Sequence, residues 1–224
     1  DNPLDPGGDN GGGQGTPTIN NFGGAAPVNV LAVVRTSTTQ MGFTIDAGVG
    51  VASFGNPPQD KGTVKVTSSS KEYTFTKSND NYYTYTPDIS NPLGIEFSST
   101  ATPVTFDVSG YTLAQATVTV PGQLRLTAPA TDSSVPRSES LTVSWNLTGT
   151  TSNTAIFIVD KDGKNVFKQN LGNVSSASFT AAEMGTLSAG SGMVFAIAYN
   201  YVLTNNDETV LIGQAASVNQ ITLQ

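Results

Sequence analysis

Apolar and polar residues alternate in short runs along most of this chain, beginning at Val28. Clusters of Gly, Pro, Asn, Asp and Ser interrupt the runs roughly every 8–12 residues, the spacing of turns in all-β proteins. A period of two is typical of half-buried strands, so the pattern predicts an all-β fold. Up to Pro121-Gly122, the predicted strands are 28–36, 41–46, 62–67, 72–77, 82–87, 94–100, 104–108 and 115–121.

A second series of alternating runs follows that Pro-Gly dipeptide. It predicts a single helical turn, at Ala181 to Leu187, and strands at 123–128, 140–147, 154–160, 164–169, 176–180, 192–203, 208–213 and 217–223. Each series is long enough for a core of its own. The sequence therefore predicts two consecutive β-sandwich domains, at residues 27–122 and 123–224, joined by an almost absent linker that limits the angles between them.

Residues 1–26 precede the first predicted strand and have a different composition. They include eight glycines, three aspartates, no basic residue and one aromatic residue, Phe22. So little apolar surface does not offset the entropy lost on ordering, which predicts a flexible leader. We interpret this leader as a tether.

Two residue types that carry much of enzyme chemistry are missing. The chain has no histidine and no cysteine, and therefore lacks the commonest general base, a thiol nucleophile and the usual zinc ligands. The net charge is −7 and neither half is basic, which argues against a nucleic-acid partner. We predict a protein that is not an enzyme, with no catalytic residues and no cofactor.

One stretch of the second half carries a family resemblance. In SLTVSWNLTG the residues Leu141, Val143 and Trp145 alternate inward, the apolar run from Ala155 to Val159 follows, and a long strand comes later. This resembles a fibronectin type III or immunoglobulin-like sandwich, with Trp145 in the place of the core tryptophan of the second strand. The resemblance covers roughly residues 123–224, whereas residues 27–122 indicate only a generic immunoglobulin-like or jelly-roll-like sandwich. We expect two consecutive immunoglobulin-like β-sandwich domains after the leader.

The whole arrangement, a Gly-rich leader before two cysteine-free sandwiches, resembles uncharacterised bacterial surface lipoproteins. The resemblance implies an extracytoplasmic location, at the bacterial cell surface or in the periplasm. It also implies membrane attachment only through a lipid anchor N-terminal to Asp1, and a protein or glycan partner at a cell surface. Low charge, 12% of residues, with abundant Thr, Ser, Asn and Gly agrees with export.

A group of aromatic residues at 73–85 allows two interpretations. If residues 78–80 form a hairpin loop, Phe75 faces Tyr83 and Tyr73 faces Tyr85, which places these rings in the core and leaves Tyr82 exposed. A register slip of one residue would reverse the two sides. Because flat rings stack on sugars, Tyr82, Tyr83 and Tyr85 are the candidate ligand-binding residues.

Asp160-Lys161-Asp162-Gly163 opens like a calcium-binding loop. An EF-hand would continue with an oxygen ligand, a glycine and a glutamate at 164, 165 and 171, where this chain has Lys, Asn and Leu. Asp-Gly between two apolar runs instead predicts a hairpin. Asp160 and Asp162 remain weak candidates for a calcium site of another type. Ser68 and Lys71 match the S-x-x-K spacing of acyl enzymes, but their position between two predicted strands also favours a turn.

These patterns favour a non-catalytic, extracytoplasmic, surface-tethered protein that acts as a spacer, an adhesin or an assembly component. The alternative is a carbohydrate-binding module that uses exposed aromatic residues or the loops at one end of a sandwich. A hydrolase that uses Asp/Glu or Ser/Lys is the third possibility.

Overall fold

The structure, a computed structural model, describes residues 25–40 and 43–224. These residues contain sixteen strands and one short helix, so the predicted all-β fold is confirmed. The elements are β1 (Asn29–Gln40), β2 (Phe43–Phe54), β3 (Val64–Ser68), β4 (Lys71–Thr74), β5 (Thr76–Lys77), β6 (Tyr83–Tyr85), β7 (Thr102–Val108), β8 (Thr117–Val120), β9 (Leu124–Ala128), β10 (Ser133–Val135), β11 (Leu141–Leu147), β12 (Asn153–Asp160), β13 (Asn165–Lys168), β14 (Ser176–Phe179), α1 (Ala181–Met184), β15 (Gly190–Thr204) and β16 (Thr209–Leu223).

One nine-stranded sheet, called here the long sheet, runs through the whole fold in the order β13-β12-β15-β16-β1-β2-β6-β5, with β10 also paired to β16. A four-stranded sheet, β4-β3-β7-β8, packs on one part of it, and a three-stranded sheet, β14-β11-β9, packs on another. The protein is therefore a pair of β-sandwiches, as predicted, but the two sandwiches share a sheet.

Two separate cores fill these sandwiches. The first core contains residues of β1, β2, β3, β6, β7 and β8, and the second contains residues of β9, β11, β12, β15 and β16. Trp145 lies in the second core and is 1% exposed, in keeping with the core position expected for it. The cores divide between residues 27–122 and 123–224, except that Leu211 and Val202 pack in the first core.

The strand that links the two sandwiches is β16. It pairs in parallel with β1 from Asn29–Thr209 to Ser37–Ser217, and antiparallel with β15 along its full length. Along β16 the side chain of Leu211 enters the first core, whereas Ala215 and Ile221 enter the second. Since successive side chains of a strand alternate between faces, both cores lie on the same face of the long sheet. We call this the inner face.

Gly213 marks the point on β16 where the two sandwiches meet. A Cβ atom at this position would lie 2.6 Å from the carbonyl oxygen of Thr119 and 2.9 Å from Cα of Val120. Only glycine leaves room for β8 to cross β16 so closely. The crossing seals the first core at the junction.

Some predicted strands differ from those of the structure. The strands predicted at 208–213 and 217–223 are one strand, β16, and the strand predicted at 41–46 continues to Phe54. Residues 94–100, predicted as a strand, form none, and Gly94, with φ +66°, makes an isolated bridge to Gly48. The strand β10 was not predicted.

The predicted helical turn is confirmed as α1. Thr180 caps it by accepting a hydrogen bond from the backbone N–H of Glu183, whose carboxylate accepts one from the backbone N–H of Thr180. Among the described residues, no helix is long and apolar enough to span a membrane. The predicted leader, residues 1–26, lies outside the described residues up to position 24.

Candidate functional site

The structure separates the three candidate tyrosines. Tyr83 is 1% exposed and Tyr85 is half-buried against the first core, whereas the Tyr82 side chain is 49% exposed. Adjacent residues of an extended chain point to opposite sides, so Tyr82 and Tyr83 do not form one platform. A ligand that stacks on this segment would meet one open ring, that of Tyr82.

The aromatic residues pair in a different register from the predicted one. β5 pairs with β6 through Thr76–Thr84, which places Phe75 beside Tyr85 rather than Tyr83. The ring centroids of Phe75 and Tyr85 are 6.3 Å apart, and those of Tyr73 and Tyr85 are 5.3 Å apart. The shift is two residues, so every side chain keeps its predicted face, and the core interpretation of these rings survives the error.

Tyr83 connects the core to the loop that precedes β3. Its hydroxyl donates a hydrogen bond to Oδ1 of Asp60 at 3.0 Å and accepts one from the backbone N–H of Lys61 at 2.8 Å. Burial raises the pKa of Tyr83. The ring of Tyr83 contacts the ring of Phe54 edge-on, with the ring centroids 5.8 Å apart. These contacts give Tyr83 a structural position.

Asp60 is the most perturbed carboxylate of this region. Hydrogen bonds from the ammonium of Lys77, the backbone N–H of Gly62 and the hydroxyl of Tyr83 lower its pKa to about 2. All three donors stabilise the charged form. At neutral pH a carboxylate with so low a pKa holds no proton to donate and is also a weak base, so Asp60 is poorly matched to either role in proton transfer.

The turn at Asp160 is the predicted hairpin between β12 and β13. Gly163 has φ +80°, and its N–H donates to the carbonyl oxygen of Asp160 at 3.1 Å. The Asp160 carboxylate accepts three backbone N–H groups, from Asp162 at 2.8 Å, Lys164 at 2.9 Å and Ser188 at 2.7 Å.

Those donors use three of the about four acceptor positions of the Asp160 carboxylate. Burial alone would raise the pKa of Asp160, but the three N–H groups outweigh it and hold the pKa below its usual range. The Asp162 carboxylate is paired with the ammonium of Lys161 at 2.8 Å. Within residues 25–40 and 43–224, no three acidic side chains converge in a way that could hold a metal ion.

A buried arginine lies on the inner face where the two sandwiches meet. Arg35 of β1 is 0% exposed, and its guanidinium donates to the carbonyl oxygens of Pro121 at 3.2 Å and Ser98. The carbonyl oxygen of Thr100 lies at 3.5 Å, and the Phe97 ring lies 4.8 Å below the guanidinium carbon. Arg35 therefore binds the segment between the sandwiches and the loop at 97–100.

The carboxylate of Asp46 also binds the segment that joins the two sandwiches. Asp46 of β2 accepts a hydrogen bond from the hydroxyl of Ser37 at 2.7 Å and another from the side-chain amide of Gln123 at 2.7 Å. Burial lowers the pKa of Arg35, and the charge of Asp46 partly opposes that effect. Gln123 belongs to the segment that joins the two sandwiches, so the contact fixes this segment to the long sheet.

The sequence contains a signal for this junction, although Arg35 is not among the predicted site residues. In the first strand Leu31, Val33 and Arg35 occupy alternate positions, so the arginine falls on the side that faces the core. A charged residue at an inward position requires buried partners. Backbone carbonyls provide them here, and no sequence motif indicates which carbonyls these are.

Comparison with known proteins gives only remote structural likenesses. No family model matches the chain, and no curated protein matches it in sequence. A fibronectin(III)-like module of Clostridium thermocellum CbhA is similar to 45% of this chain over 94% of its own length, at 10% identity and a TM-score of 0.28.

Two adhesion proteins are similar over a larger part of the chain. A tetra-tandem repeat from the extending region of a large adhesion protein matches 86% of this chain over 50% of its own length, at 16% identity and a TM-score of 0.28. A Ca2+-stabilized adhesin with which an Antarctic bacterium binds ice matches 87% over 49%, at 12% identity and a TM-score of 0.27. The chain thus spans about half of each of these structures. The fold assignment rests on the sheets of the chain itself.

Proposed function

We propose that this chain is a non-catalytic, extracytoplasmic protein, tethered to a surface through its N-terminal leader, that serves as a spacer, adhesin or assembly component. The supporting observation is the long sheet, which passes without interruption from one sandwich into the other. Two sandwiches on one sheet hold a fixed mutual orientation. A spacer that presents a partner-binding end at a set distance needs this property.

The junction chemistry supports the same proposal. Arg35 and Asp46 fix the connecting segment through Pro121 and Gln123, at the point where a two-domain protein would otherwise bend. The absence of histidine and cysteine from the sequence, and the use of Asp160 as an acceptor for three backbone N–H groups, fit a role in which no group turns over a substrate.

The stiffness of the junction between the two sandwiches can be measured from the distance between two spin labels. The labels can be placed at chosen cysteines because the chain contains no native cysteine. Thr105 on β7 and Thr142 on β11 are exposed positions on the two small sheets, and each can be replaced by cysteine. We expect one narrow distance distribution between the labels. A broad distance distribution in the protein that carries only these two substitutions would refute the spacer role.

Location requires a separate test in cells. Intact host cells that express the chain with its natural upstream sequence are treated with a protease that does not enter them, and then fractionated. We expect a membrane-associated protein that lies outside the cytoplasm, with digestion in intact cells if it is displayed outward. Recovery in the cytoplasmic fraction would refute the proposal.

The second candidate function is carbohydrate binding, favoured by the 49% exposed ring of Tyr82. Aromatic rings on protein surfaces offer flat apolar faces for stacking. A glycan array probed with the unmodified chain and with Tyr82→Ala tests it. Binding that Tyr82→Ala abolishes supports the candidate, and an array without hits eliminates it.

A further inference from the structure

The long sheet has a second side, the outer face, opposite the two cores. In the second sandwich Ile156, Ile158 and Val194 point into the core, so the residues that alternate with them point to the outer face. Strand register arranges these outward residues in three rows. The rows are Asn165, Val159, Met193 and Gln220; Phe167, Phe157, Phe195 and Val218; and Ala155, Ile197, Ala216, Thr36 and Ala47. We call these three rows the phenylalanine face.

The largest apolar side chains of this face remain accessible. Phe167 and Met193 are 39% and 41% exposed, and Phe157 and Phe195 are half-buried. None of these four residues belongs to an apolar cluster of the described residues. An apolar side of a sheet normally packs against a second layer. The phenylalanine face is therefore an apolar surface that a partner can reach.

Charge restricts the kind of partner. Among the described residues of the three rows none is charged, although the whole chain has a net charge of −7. The neighbouring Lys168 lies on the other side of β13, where its ammonium pairs with Glu183 and lies over the Phe179 ring. A charged partner would find no complementary charge on the phenylalanine face. An uncharged apolar surface is the matching partner.

The arrangement of the rings restricts the partner further. The rings of Phe157 and Phe195 lie on adjacent strands, stacked with their centroids 4.4 Å apart and their planes 10° from parallel. Because the rings face each other along the direction between the strands, they present their edges to solvent. A sugar stacks on the open face of a ring, so this row is not a carbohydrate platform. Ring edges and methyl groups instead suit the interdigitated packing of two sheets.

The extent of the face allows a stable contact. It crosses six neighbouring strands, in the order β13-β12-β15-β16-β1-β2. With strands about 4.8 Å apart and rows about 7 Å apart, it covers about 600 Å² on each copy. Ile45, which is 46% exposed and lies two residues before Ala47 on β2, extends the apolar surface at one end. Two such faces together bury about 1,200 Å², above the ~1,000 Å² expected of a specific protein interface.

We propose that the phenylalanine face docks on the same face of a second copy of this chain and forms a two-fold symmetric dimer. A symmetric pairing brings two uncharged surfaces together, so the acidic residues of the two copies do not meet in the interface. The two long sheets would pack about 10 Å apart, with the rows of one between the rows of the other. The pairing does not depend on the proposed function, because it is compatible with a spacer, an adhesin or an assembly component.

Sedimentation equilibrium of the full chain over a series of concentrations tests the pairing. The mass of one chain is 23.2 kDa. We expect the measured mass to rise from this value towards twice this value as the concentration increases.

The double variant F167E/M193E tests the surface. It places two carboxylates on each copy, so four like charges enter the interface and association should weaken at least ~100-fold. Both side chains are partly exposed in the single chain, so the second core should stay folded, as reported by fluorescence of Trp145. The matched control I89E/L93E adds the same charge at two exposed apolar positions outside the face and should associate like the unmodified chain.

A charge-reversed variant separates loss of pairing from loss of folding. F167K/M193K should also fail to associate with itself, for the same reason as F167E/M193E. An equal mixture of the two variants should form a heterodimer, because opposite charges then meet across the interface. Only folded chains that pair through the phenylalanine face give this result.

Four results would overturn the proposal. The first is a mass that stays at one chain at every concentration. The second is association that F167E/M193E leaves unchanged or that I89E/L93E weakens equally, and the third is a mixture of the charged variants that forms no heterodimer. The fourth is a monomer that binds phosphatidylcholine vesicles and loses this binding in F167E/M193E, since this would assign the face to a lipid surface.

Discussion

Replacing Arg35 with methionine tests whether the junction holds the two sandwiches together. Methionine keeps the apolar stem of the side chain beside Phe97 but removes every donor. The carbonyl oxygens of Pro121 and Ser98 then lose their guanidinium partner inside the protein. Hydrogen bonds to a charged group contribute about 1.5–3 kcal/mol each, and an unpaired buried carbonyl costs about 1–3 kcal/mol.

A compensating effect reduces the loss of stability expected for Arg35→Met. The guanidinium is 0% exposed, and no carboxylate among the described residues forms a direct ion pair with it, so its removal also relieves a desolvation cost of several kcal/mol. When a buried charge and its partners are all replaced by apolar groups, the stability of the protein often does not change. Here the acceptors are backbone carbonyls, which remain. We therefore expect Arg35→Met to lower the free energy of unfolding by about 2–3 kcal/mol.

Urea unfolding provides the assay. Fluorescence of Trp145, the single tryptophan, reports the second core, and near-UV circular dichroism of the tyrosines reports mainly on the first sandwich. The shared sheet predicts one transition seen by both probes in the unmodified chain. In Arg35→Met we expect a lower midpoint and a fall in melting temperature of about 5–10 °C.

The control is Arg125→Met, at an exposed arginine on β9 that makes one long contact, of 3.4 Å, to Gln123. It should change the free energy of unfolding by less than about 0.5 kcal/mol. Equal effects of Arg35→Met and Arg125→Met, or a more stable Arg35→Met protein, would refute the junction argument. Separate transitions at the two probes in the unmodified chain would refute the shared-sheet argument.

Other side chains give sharper local tests. Asp160→Ala should lower the free energy of unfolding by about 2–3 kcal/mol, because three backbone N–H groups lose a charged acceptor. Asp162→Ala, at an exposed carboxylate, should change the urea midpoint much less. Calcium and EDTA should leave both melting temperatures unchanged, and a calcium-dependent rise would contradict this account of the turn. Tyr83→Phe should cost about 1–2 kcal/mol in urea unfolding, since the N–H of Lys61 and the carboxylate of Asp60 lose the hydroxyl, and an unchanged midpoint would contradict it. In an NMR titration the carboxylate of Asp60 should have its midpoint near pH 2, and Lys77→Gln should move this midpoint upward. Because folding lowers this pKa, the stability that it contributes is present above about pH 4 and is lost as the pH falls towards 2.

The strand pattern was predictable because burial on one side of a sheet imposes a period of two. That period predicted most strands of the structure and the inward position of Trp145, whereas the Asp-Gly dipeptide predicted the hairpin at Asp160. It also placed the aromatic residues of 73–85 on the correct side, even though the predicted register was shifted by two residues. Shifts by an even number of residues leave the period unchanged, so the pattern cannot detect them.

The pairing of β1 with β16 was not predictable in the same way. It joins Asn29 to Thr209, far apart in the chain, through backbone hydrogen bonds that carry no residue signature. The predicted break between 208–213 and 217–223 hid the length of β16, because Gln214 interrupts the apolar run although its side chain is buried. Two independent sandwiches were the natural expectation from local patterns, whereas the long-range ladder unites them.

The shared ladder also determines how the molecule would carry a load. β1 and β16 run in the same direction, so a pull on the chain before β1 and an opposite pull at the end of β16 would act along the ladder. The hydrogen bonds of the nine residue pairs from Asn29–Thr209 to Ser37–Ser217 would then be strained together, not opened one by one. β16 alone, with fifteen residues, extends over about 50 Å, and it lies in both sandwiches. The proposed spacer role would load the ladder in this way. Arg35 of β1 binds the connecting segment where the two cores meet, through the carbonyl oxygen of Pro121.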